Sequence, residues 1–324
     1  MGLYHQFSVL SCATSHSNFT AIPLSARRRD FLAKSADGAP IFLLQDASSA
    51  QYSPGVQFRH LTAQFHATCH VSTDGAELQD QFALVACDSS VPELHEIFIR
   101  CFGAAIEELP TTCGTAELNS CIQKLINLFK ELSQPNGRQV SGLWAELYVI
   151  ASCSDVSQAL SVWHTDPFDR FDFSGEPGCI EVKASTQPIR VHEFALEQLM
   201  TPVNGVGYVV SLLLQPLSGG MGVMDLANAI DAKVLHSAAL RQKLWSNVAK
   251  ALGRDFSDKL DKRFDMSYAE RHLAAYAMND IPRPEHPTDP RVTSVRFLAD
   301  LTTVASSLKK TPSVSLCDFI FEPL

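Results

Sequence analysis

Two carboxylates and one ammonium group lie close together in the middle of the chain, at Asp172, Glu181 and Lys183. Side chains alternate between the two faces of a β-strand, so Glu181 and Lys183 share a face while Val182 points into the core. If the segments flanking the turn at residues 175–178 pair as a hairpin, Asp172 lies beside Glu181. The pattern therefore predicts a cluster of charges on an otherwise apolar sheet.

Such a cluster needs a ligand, because like charges repel and burial adds a desolvation cost. A hard divalent cation removes that cost, and Mg²⁺ characteristically takes one or two carboxylates, waters and phosphate oxygens. The ion would polarise a phosphodiester and generate hydroxide from water, while Lys183 orients that water or stabilises the developing charge. We predict a Mg²⁺ site, with Mn²⁺ as a substitute. The alternative is a plain surface ion pair, since an isolated Glu-x-Lys is common.

The surrounding patterns predict the elements that hold these residues. Strands over Arg170–Ser174 and Cys179–Ala184 flank the turn, and a helix over Ser141–Ile150 precedes them. Val191–Met200 starts extended and becomes helical, and Val206–Leu214 is β-like. Strands that alternate with helices indicate an α/β core. Further along, helices are expected over 225–234 and 239–252, and a strand over 292–301.

The first part of the chain has a different pattern, with short β-like segments separated by polar turns. They occur at Ile41–Leu44, Gln57–Leu61 and Gln81–Cys87, and amphipathic helices follow over Val91–Leu109 and Glu117–Leu132. We assign residues 1–115 to an N-terminal β-rich α+β domain for recognition or docking, and residues 116–324 to a catalytic domain with a C-terminal helical/β extension. Residues 134–137, which break the second helix, also mark a boundary.

The motif and the residues around it resemble those of a known protein family. Asp172 with Glu181-Val182-Lys183 is similar to the core motif of the PD-(D/E)XK nuclease superfamily, and residues 142–147 resemble the G-L-x-G-E-L that precedes the core in a bacterial family described only as PD-(D/E)XK proteins. The resemblance covers most of residues 120–300. Further matches to that family are Arg190, His192, Gln198 and Leu199 after the motif, and Tyr276, Asp280, Pro282 and 292–301 near the end.

The resemblance implies further site residues. Glu146 would be an additional metal ligand, direct or through water, and the carbonyl of Val182 would complete the ligand set. Ala145 replaces a usual glycine, and Phe171 replaces a polar residue that is often histidine. The alternative for Glu146 is a solvated helix residue.

Three residues after the motif are candidates for substrate contacts: Arg190, His192 and Gln198. Arg190 follows the active strand and would contact a phosphate of the cleaved strand. His192 is alternatively a structural hydrogen-bonding residue, and Gln198 a surface residue. Trp144 and Phe173 are most simply core residues.

The fold implied is α/β: a restriction-endonuclease-like core, with a mixed β-sheet flanked by helices. The activity implied is Mg²⁺-dependent hydrolysis of DNA. Such family members occur in bacterial defence gene clusters beside ATPases, so partners would be DNA and an ATPase or other subunits of the system. A homodimer is expected, since cutting both strands needs two sites. The alternatives are a non-catalytic nuclease-fold scaffold, and a metal-dependent hydrolase acting on RNA or nucleotides.

The net charge of the chain limits how it could bind DNA. Lys+Arg 26 against Asp+Glu 35 gives a net charge of −9, which argues against a protein that coats nucleic acid and favours DNA delivered by a partner. Basic residues concentrate between Lys233 and Arg271 and at Arg27–Arg29.

The nine cysteines, without C-x-x-C, indicate reduced, buried thiols rather than a zinc site. The weak signal-peptide pattern and the absence of a long apolar run predict a cytoplasmic protein without membrane association.

Overall fold

The computed structural model describes residues 2–48, 53–73, 76–132, 139–164, 169–175, 178–201, 205–253, 259–285, 287, 289 and 291–307. By spatial clustering the chain forms two compact units. Unit 1 comprises Met1–Pro135 and His236–Arg254, and unit 2 comprises Asn136–Leu235 and Asp255–Leu324. Within the described ranges no helix is both long enough and apolar enough to cross a membrane.

The helices and strands are numbered in chain order. The helices are α1 Leu3–Val9, α2 Glu93–Glu107, α3 Thr115–Leu132, α4 Val140–Ser152, α5 Val156–Val162, α6 Val223–Lys233, α7 Ala238–Leu252 and α8 Met266–Arg271, with 3₁₀ turns at Leu196–Leu199 and Met278–Asp280. The strands are β1 Asn18–Pro23, β2 Phe31–Lys34, β3 Pro40–Gln45, β4 Val56–Phe58, β5 Leu61–Thr73, β6 Ala76–Cys87, β7 Phe173–Gly175, β8 Gly178–Ser185, β9 Val191–Ala195, β10 Val206–Leu213, β11 Pro216–Gly222, β12 Arg263–Phe264, β13 Leu273–Ala277 and β14 Arg296–Asp300.

Unit 1 is built on a six-stranded sheet in the order β1-β2-β3-β6-β5-β4, and β1 also pairs in parallel with β5. Apart from that pair its ladders are antiparallel, so unit 1 is rich in antiparallel β-structure. Helices cover the sheet through aromatic packing, with Phe42 in edge-to-face contact with Phe98 and Phe102 of α2. Described cysteines of this unit are free, and all but Cys12 are buried.

The structure divides the chain at a different place from the expected boundary after residue 115. Helix α3 packs on α2, α7 and the sheet of unit 1, and the chain passes between the units at the predicted break around residues 134–137, which lies outside the described residues. Helix α7 also belongs to unit 1, because Leu244, Trp245 and Val248 are buried there. Local sequence cannot show this, since α7 follows α6 of unit 2 directly.

Unit 2 contains a four-stranded sheet in the order β13-β10-β8-β7. Strands β8 and β10 are parallel, whereas β7 and β13 are antiparallel to their neighbours, so the sheet is mixed. Helix α4 packs against β8, and α6 packs against α4. Strands β9 and β14 form a separate antiparallel pair. The α/β prediction of a mixed sheet flanked by helices is confirmed.

The two central strands are buried for most of their length. Along β10, Gly207–Leu213 are buried, and along β8, Gly178–Val182 are buried. A strand with apolar contacts on both faces is typical of the parallel part of an α/β sheet. Charged side chains at such positions carry a desolvation cost, which draws attention to Glu181 on β8 and Glu146 on α4.

Candidate metal centre

The hairpin of β7 and β8 brings the predicted motif together. Phe173 pairs with Ile180 and Ser174 with Cys179, and one further step of this register sets Asp172 opposite Glu181. Oδ2 of Asp172 accepts a hydrogen bond from the backbone N–H of Val182 at 2.7 Å. The two segments are thus joined by main-chain pairing and by a side-chain contact at the point where the charged residues meet.

A second carboxylate and an imidazole complete a compact group with Asp172. The group consists of Glu146, His164 and Asp172. Each residue offers one ligand atom, and the three atoms all lie within 4.8 Å of one another. Glu146 is 2% exposed, although it carries a charged group. Its Oε2 accepts a hydrogen bond from Nε1 of Trp163 at 2.9 Å and lies 3.3 Å from Nε2 of His164.

Contacts between the residues after α5 and those at the start of β7 position His164. Asp155 caps the N-terminus of helix α5, because its side chain accepts a hydrogen bond from the backbone N–H of Gln158, and the helix ends at Val162. The next residue, Trp163, forms a β-bridge with Phe173, and the backbone N–H of His164 donates to the carbonyl of Asp172 at 2.8 Å. The imidazole is therefore held beside Asp172.

His164 was not among the predicted site residues. Its signal in the sequence is weak: a histidine two residues after the end of a helix, a short distance before the motif. Its place in the group depends on the bridge between Trp163 and Phe173, which sequence spacing does not reveal. Glu146, in contrast, is where the resemblance predicts it, on the helix that packs against β8.

Glu181, Lys183 and Gln198 form a second group, adjacent to the first. Nζ of Lys183 lies 2.8 Å from Oε1 of Glu181 and donates to Oε1 of Gln198 at 3.3 Å. Nε2 of Gln198 donates to Oε1 of Glu181 at 2.6 Å. The backbone N–H of Ala195 fixes Gln198 by donating to its Oε1 at 3.0 Å. Gln198 thus positions both charged residues, rather than lying at the surface as a lone polar side chain.

The two groups are separate in the structure. Glu181 is not a member of the group that Glu146, His164 and Asp172 form. Val182 joins them, because its N–H contacts Asp172 and its neighbours along β8 are Glu181 and Lys183. The ligand roles of Glu181 and of the Val182 carbonyl stay predictions.

Arg190 and His192 meet at a third point, the side chain of Ser211 on β10. Nη1 of Arg190 donates to the carbonyl and Oγ of Ser211 at 2.9 and 2.8 Å, and Nη2 donates to the carbonyl of His272 at 2.5 Å. Nε2 of His192 lies 2.8 Å from the same Oγ. These contacts join the start of β9 to β10 and to the residue before β13. Arg190 and His192 therefore help to hold these strands together. The phosphate contact expected of Arg190 stays a prediction.

Burial decides the charge state of this histidine. Burial, with the positive charges of Lys183 and Arg190, lowers the pKa of His192 to about 4. Burial also lowers the pKa of Arg190. His192 is therefore neutral near pH 7 and serves as a hydrogen-bonding residue.

Several basic residues of the stretches noted in the sequence form ion pairs with acidic residues. In the Arg27–Arg29 cluster, Arg28 is buried against Asp30, and Arg29 pairs with Asp80 at the surface. Between Lys233 and Arg271, ion pairs form between Arg241 and Glu107, Lys250 and Glu131, and Arg263 and Asp225.

Comparison with protein families supports the resemblance. The model of a family described as "Putative PD-(D/E)XK family member, (DUF4420)" matches residues 6–302. The chain belongs to this family. The match spans the β-rich N-terminal part as well as the motif, so both units are family features. Comparison with curated proteins and with solved structures gave no match.

The residues of this PD-(D/E)XK family member fit a divalent cation. Two carboxylates and one imidazole offer converging ligand atoms within 4.8 Å, and Glu146 is almost fully buried. A buried and a half-buried carboxylate at this separation repel, and a bound cation would offset that repulsion. The predicted divalent-metal centre therefore has a suitable set of donors, with a histidine in addition to the expected carboxylates.

Proposed function

We propose that this protein is a metal-dependent endonuclease that hydrolyses DNA phosphodiester bonds, with Mg²⁺ or Mn²⁺ as the ion. The observation that supports this proposal most strongly is the position of Lys183 on β8, one residue after Val182, whose backbone N–H donates to Asp172 of the candidate cation site. An ammonium group beside a cation site is the combination that phosphodiester hydrolysis needs.

The residues would divide the work as follows. Glu146, His164 and Asp172 would hold the ion, which when bound polarises the phosphodiester and lowers the pKa of water. Lys183 would orient the attacking water and stabilise negative charge on the phosphate oxygens in the transition state. Gln198 positions Lys183 through its contact at 3.3 Å. Glu181 also holds the ammonium group, at 2.8 Å.

The partners are proposed on charge and on family resemblance. A chain with net charge −9, whose basic side chains are often paired with carboxylates, would bind DNA weakly unaided. We infer that an ATPase or another subunit of a bacterial defence system delivers the DNA. Homodimerisation would supply a second site for the opposite strand, and unit 1 would serve recognition or docking.

The direct test is cleavage of plasmid DNA by the purified chain, alone and with the products of neighbouring genes, in Mg²⁺ or Mn²⁺. The Asp172→Ala and Lys183→Ala variants should each lose at least about 10²- to 10³-fold in cleavage rate, the typical cost of removing an electrostatic contribution to the transition state. Lys262→Ala is the matched control, because Lys262 is exposed. Cleavage that persists unchanged in both site variants contradicts the proposal.

One observation favours a second candidate, a nuclease-fold scaffold without activity of its own. Oε1 of Glu181 already accepts hydrogen bonds from both Lys183 and Gln198, so this group is internally satisfied without substrate. The same experiment separates the two candidates. Absence of cleavage by the wild-type chain with every partner and either ion would favour the scaffold.

A further inference from the structure

The group of Glu146, His164 and Asp172 contains one donor of a different kind. Two donors are carboxylate oxygens, and the third is an imidazole nitrogen. Mg²⁺ prefers oxygen ligands and gives up its waters reluctantly, whereas transition-metal ions accept imidazole readily. The donor set therefore bears on which ion the centre prefers, a question separate from whether it binds an ion.

The imidazole is held in place by several contacts. The backbone N–H of His164 donates to the carbonyl of Asp172, and the preceding residue, Trp163, bridges to Phe173. The side chain of His164 is 13% exposed and packs at right angles to the Trp163 ring. A ring fixed in this way loses little conformational freedom on binding an ion, which favours its use as a ligand.

We infer that His164 is a nitrogen ligand of the metal, and that it makes the centre bind Mn²⁺ more tightly than Mg²⁺. The inference rests on the metal site of the proposed function, but it concerns binding rather than cleavage. It predicts a preference for Mn²⁺ over Mg²⁺. A site made of carboxylates and waters alone would show this preference far more weakly.

Trp163 offers a readout that does not depend on DNA cleavage. Its Nε1 donates to Oε2 of Glu146, and its ring is buried against His164. An ion bound by Glu146 changes the charge next to the indole and so changes its fluorescence. The Trp163→Phe variant identifies this signal against those of the buried Trp144 and Trp245.

The experiment uses the full chain, freed of metal with a chelator and titrated with MnCl₂ or MgCl₂. Fluorescence gives both affinities, and pulsed electron paramagnetic resonance of bound Mn²⁺ detects a directly coordinated nitrogen. We expect tighter binding of Mn²⁺ and a clear nitrogen coupling. The His164→Gln variant should lose the coupling and about 10- to 100-fold in Mn²⁺ affinity, the range seen when support of a metal ligand is removed. Its Mg²⁺ affinity should change much less.

The matched control is His70→Gln, since His70 is an exposed histidine of unit 1 and should leave affinities and coupling unchanged. If His164→Gln does not fold, wild-type chain labelled with ¹⁵N-histidine replaces it, because the coupling then changes to that of ¹⁵N when the ligand is histidine.

Each outcome bears separately on the two proposals. Bound Mn²⁺ without nitrogen coupling, a coupling retained in His164→Gln, or equal affinities for the two ions would overturn the inference, even if Asp172-dependent DNA cleavage is found. Nitrogen coupling lost in His164→Gln, together with no cleavage under any condition, would support the inference and reject the nuclease proposal. Absence of Mn²⁺ binding would overturn the inference.

Discussion

Each unit of the chain buries charged side chains, but in different combinations. In unit 1, Arg28 and Asp30 form an ion pair at 2.6 Å, with side chains 4% and 1% exposed. Arg28 also donates to the carbonyls of Pro110 and Gln45, and Oδ1 of Asp30 accepts from the backbone N–H of Gln45. In unit 2, the carboxylates of Glu146 and Asp172 lie next to a single imidazole.

The difference separates a structural arrangement from a binding site. In a buried ion pair such as Arg28 with Asp30, one cation faces one anion and the hydrogen bonds of both are made inside the protein. Their attraction offsets the cost of removing the two charges from water. Two carboxylates beside one histidine repel each other within the group, and a bound cation would offset that repulsion. The comparison predicts that substitutions in the two groups have opposite effects on stability.

The largest effect is expected for Asp30→Ala. It leaves the guanidinium of Arg28 buried without its carboxylate, so the free energy of unfolding should fall by about 3–5 kcal/mol. Urea denaturation measures the change. Asp80→Ala is the control, because the ion pair of Asp80 with Arg29 is exposed and should contribute less than about 1 kcal/mol. Equal losses in the two variants would contradict the distinction between buried and exposed pairs.

His192 lies near the site but should behave as a structural residue, like Arg28. Its pKa is about 4 in the folded chain and about 6.5 for a solvent-exposed imidazole, so between these pH values the unfolded chain binds the proton first. Stability should therefore fall as the pH decreases from about 6.5 to 4, by up to roughly 3 kcal/mol.

The measurement is thermal unfolding across this pH range for the wild type and for His192→Gln. Other groups titrate in the same range, so the difference between the two slopes is the quantity of interest. The variant should show the shallower dependence. Identical slopes would mean that His192 does not titrate differently in the folded and unfolded chains.

Metal binding should stabilise the folded chain through unit 2. An ion at about one hundred times its dissociation constant adds about 2.7 kcal/mol if it binds only the folded state. Thermal unfolding with and without Mn²⁺ should show this increase in the wild type, and Asp172→Ala should abolish it. A full Mn²⁺ effect in that variant would place the bound ion elsewhere.

The smallest predicted effect has the opposite sign to that of Asp30→Ala. In chelator, Asp172→Asn removes repulsion from Glu146, while the amide oxygen can still accept the bond from Val182. The free energy of unfolding should rise by on the order of 1 kcal/mol. Asp30→Asn under the same conditions should lower it. If both substitutions destabilise the chain, repulsion between the carboxylates of Glu146 and Asp172 does not lower its stability.

Much of the fold could be predicted because its signals are local. The hairpin of β7 and β8, helix α4 and the strand β10 lie where apolar periodicity and turn residues place them. The strand β9 followed by a 3₁₀ turn agrees with the segment Val191–Met200, predicted to begin extended and become helical. These features depend on residues near one another in the chain.

Contacts between segments that are far apart in the chain could not be predicted from local sequence patterns. Helix α7 packs with α2 of unit 1, although α6 and α8 on either side of it in the chain belong to unit 2. Gln198 contacts Glu181 and Lys183 because the 3₁₀ turn after β9 lies over β8. Arg190 and His192 share Ser211 through the arrangement of β9 against β10. Each contact joins segments whose separation in sequence carries no information about their distance.

The sequence by itself determined the α/β class and the charged motif residues Asp172, Glu181 and Lys183, because strand alternation and turn chemistry act over a few residues. The family follows from the resemblance of that motif and from the family match over residues 6–302. Only the tertiary structure decided which donors converge. It joined His164 and Glu146 to Asp172 and paired Glu181 with Lys183 and Gln198. The physical reason is that convergence of side chains depends on how helix, bridge and hairpin pack together, and that packing is decided by contacts across the whole unit.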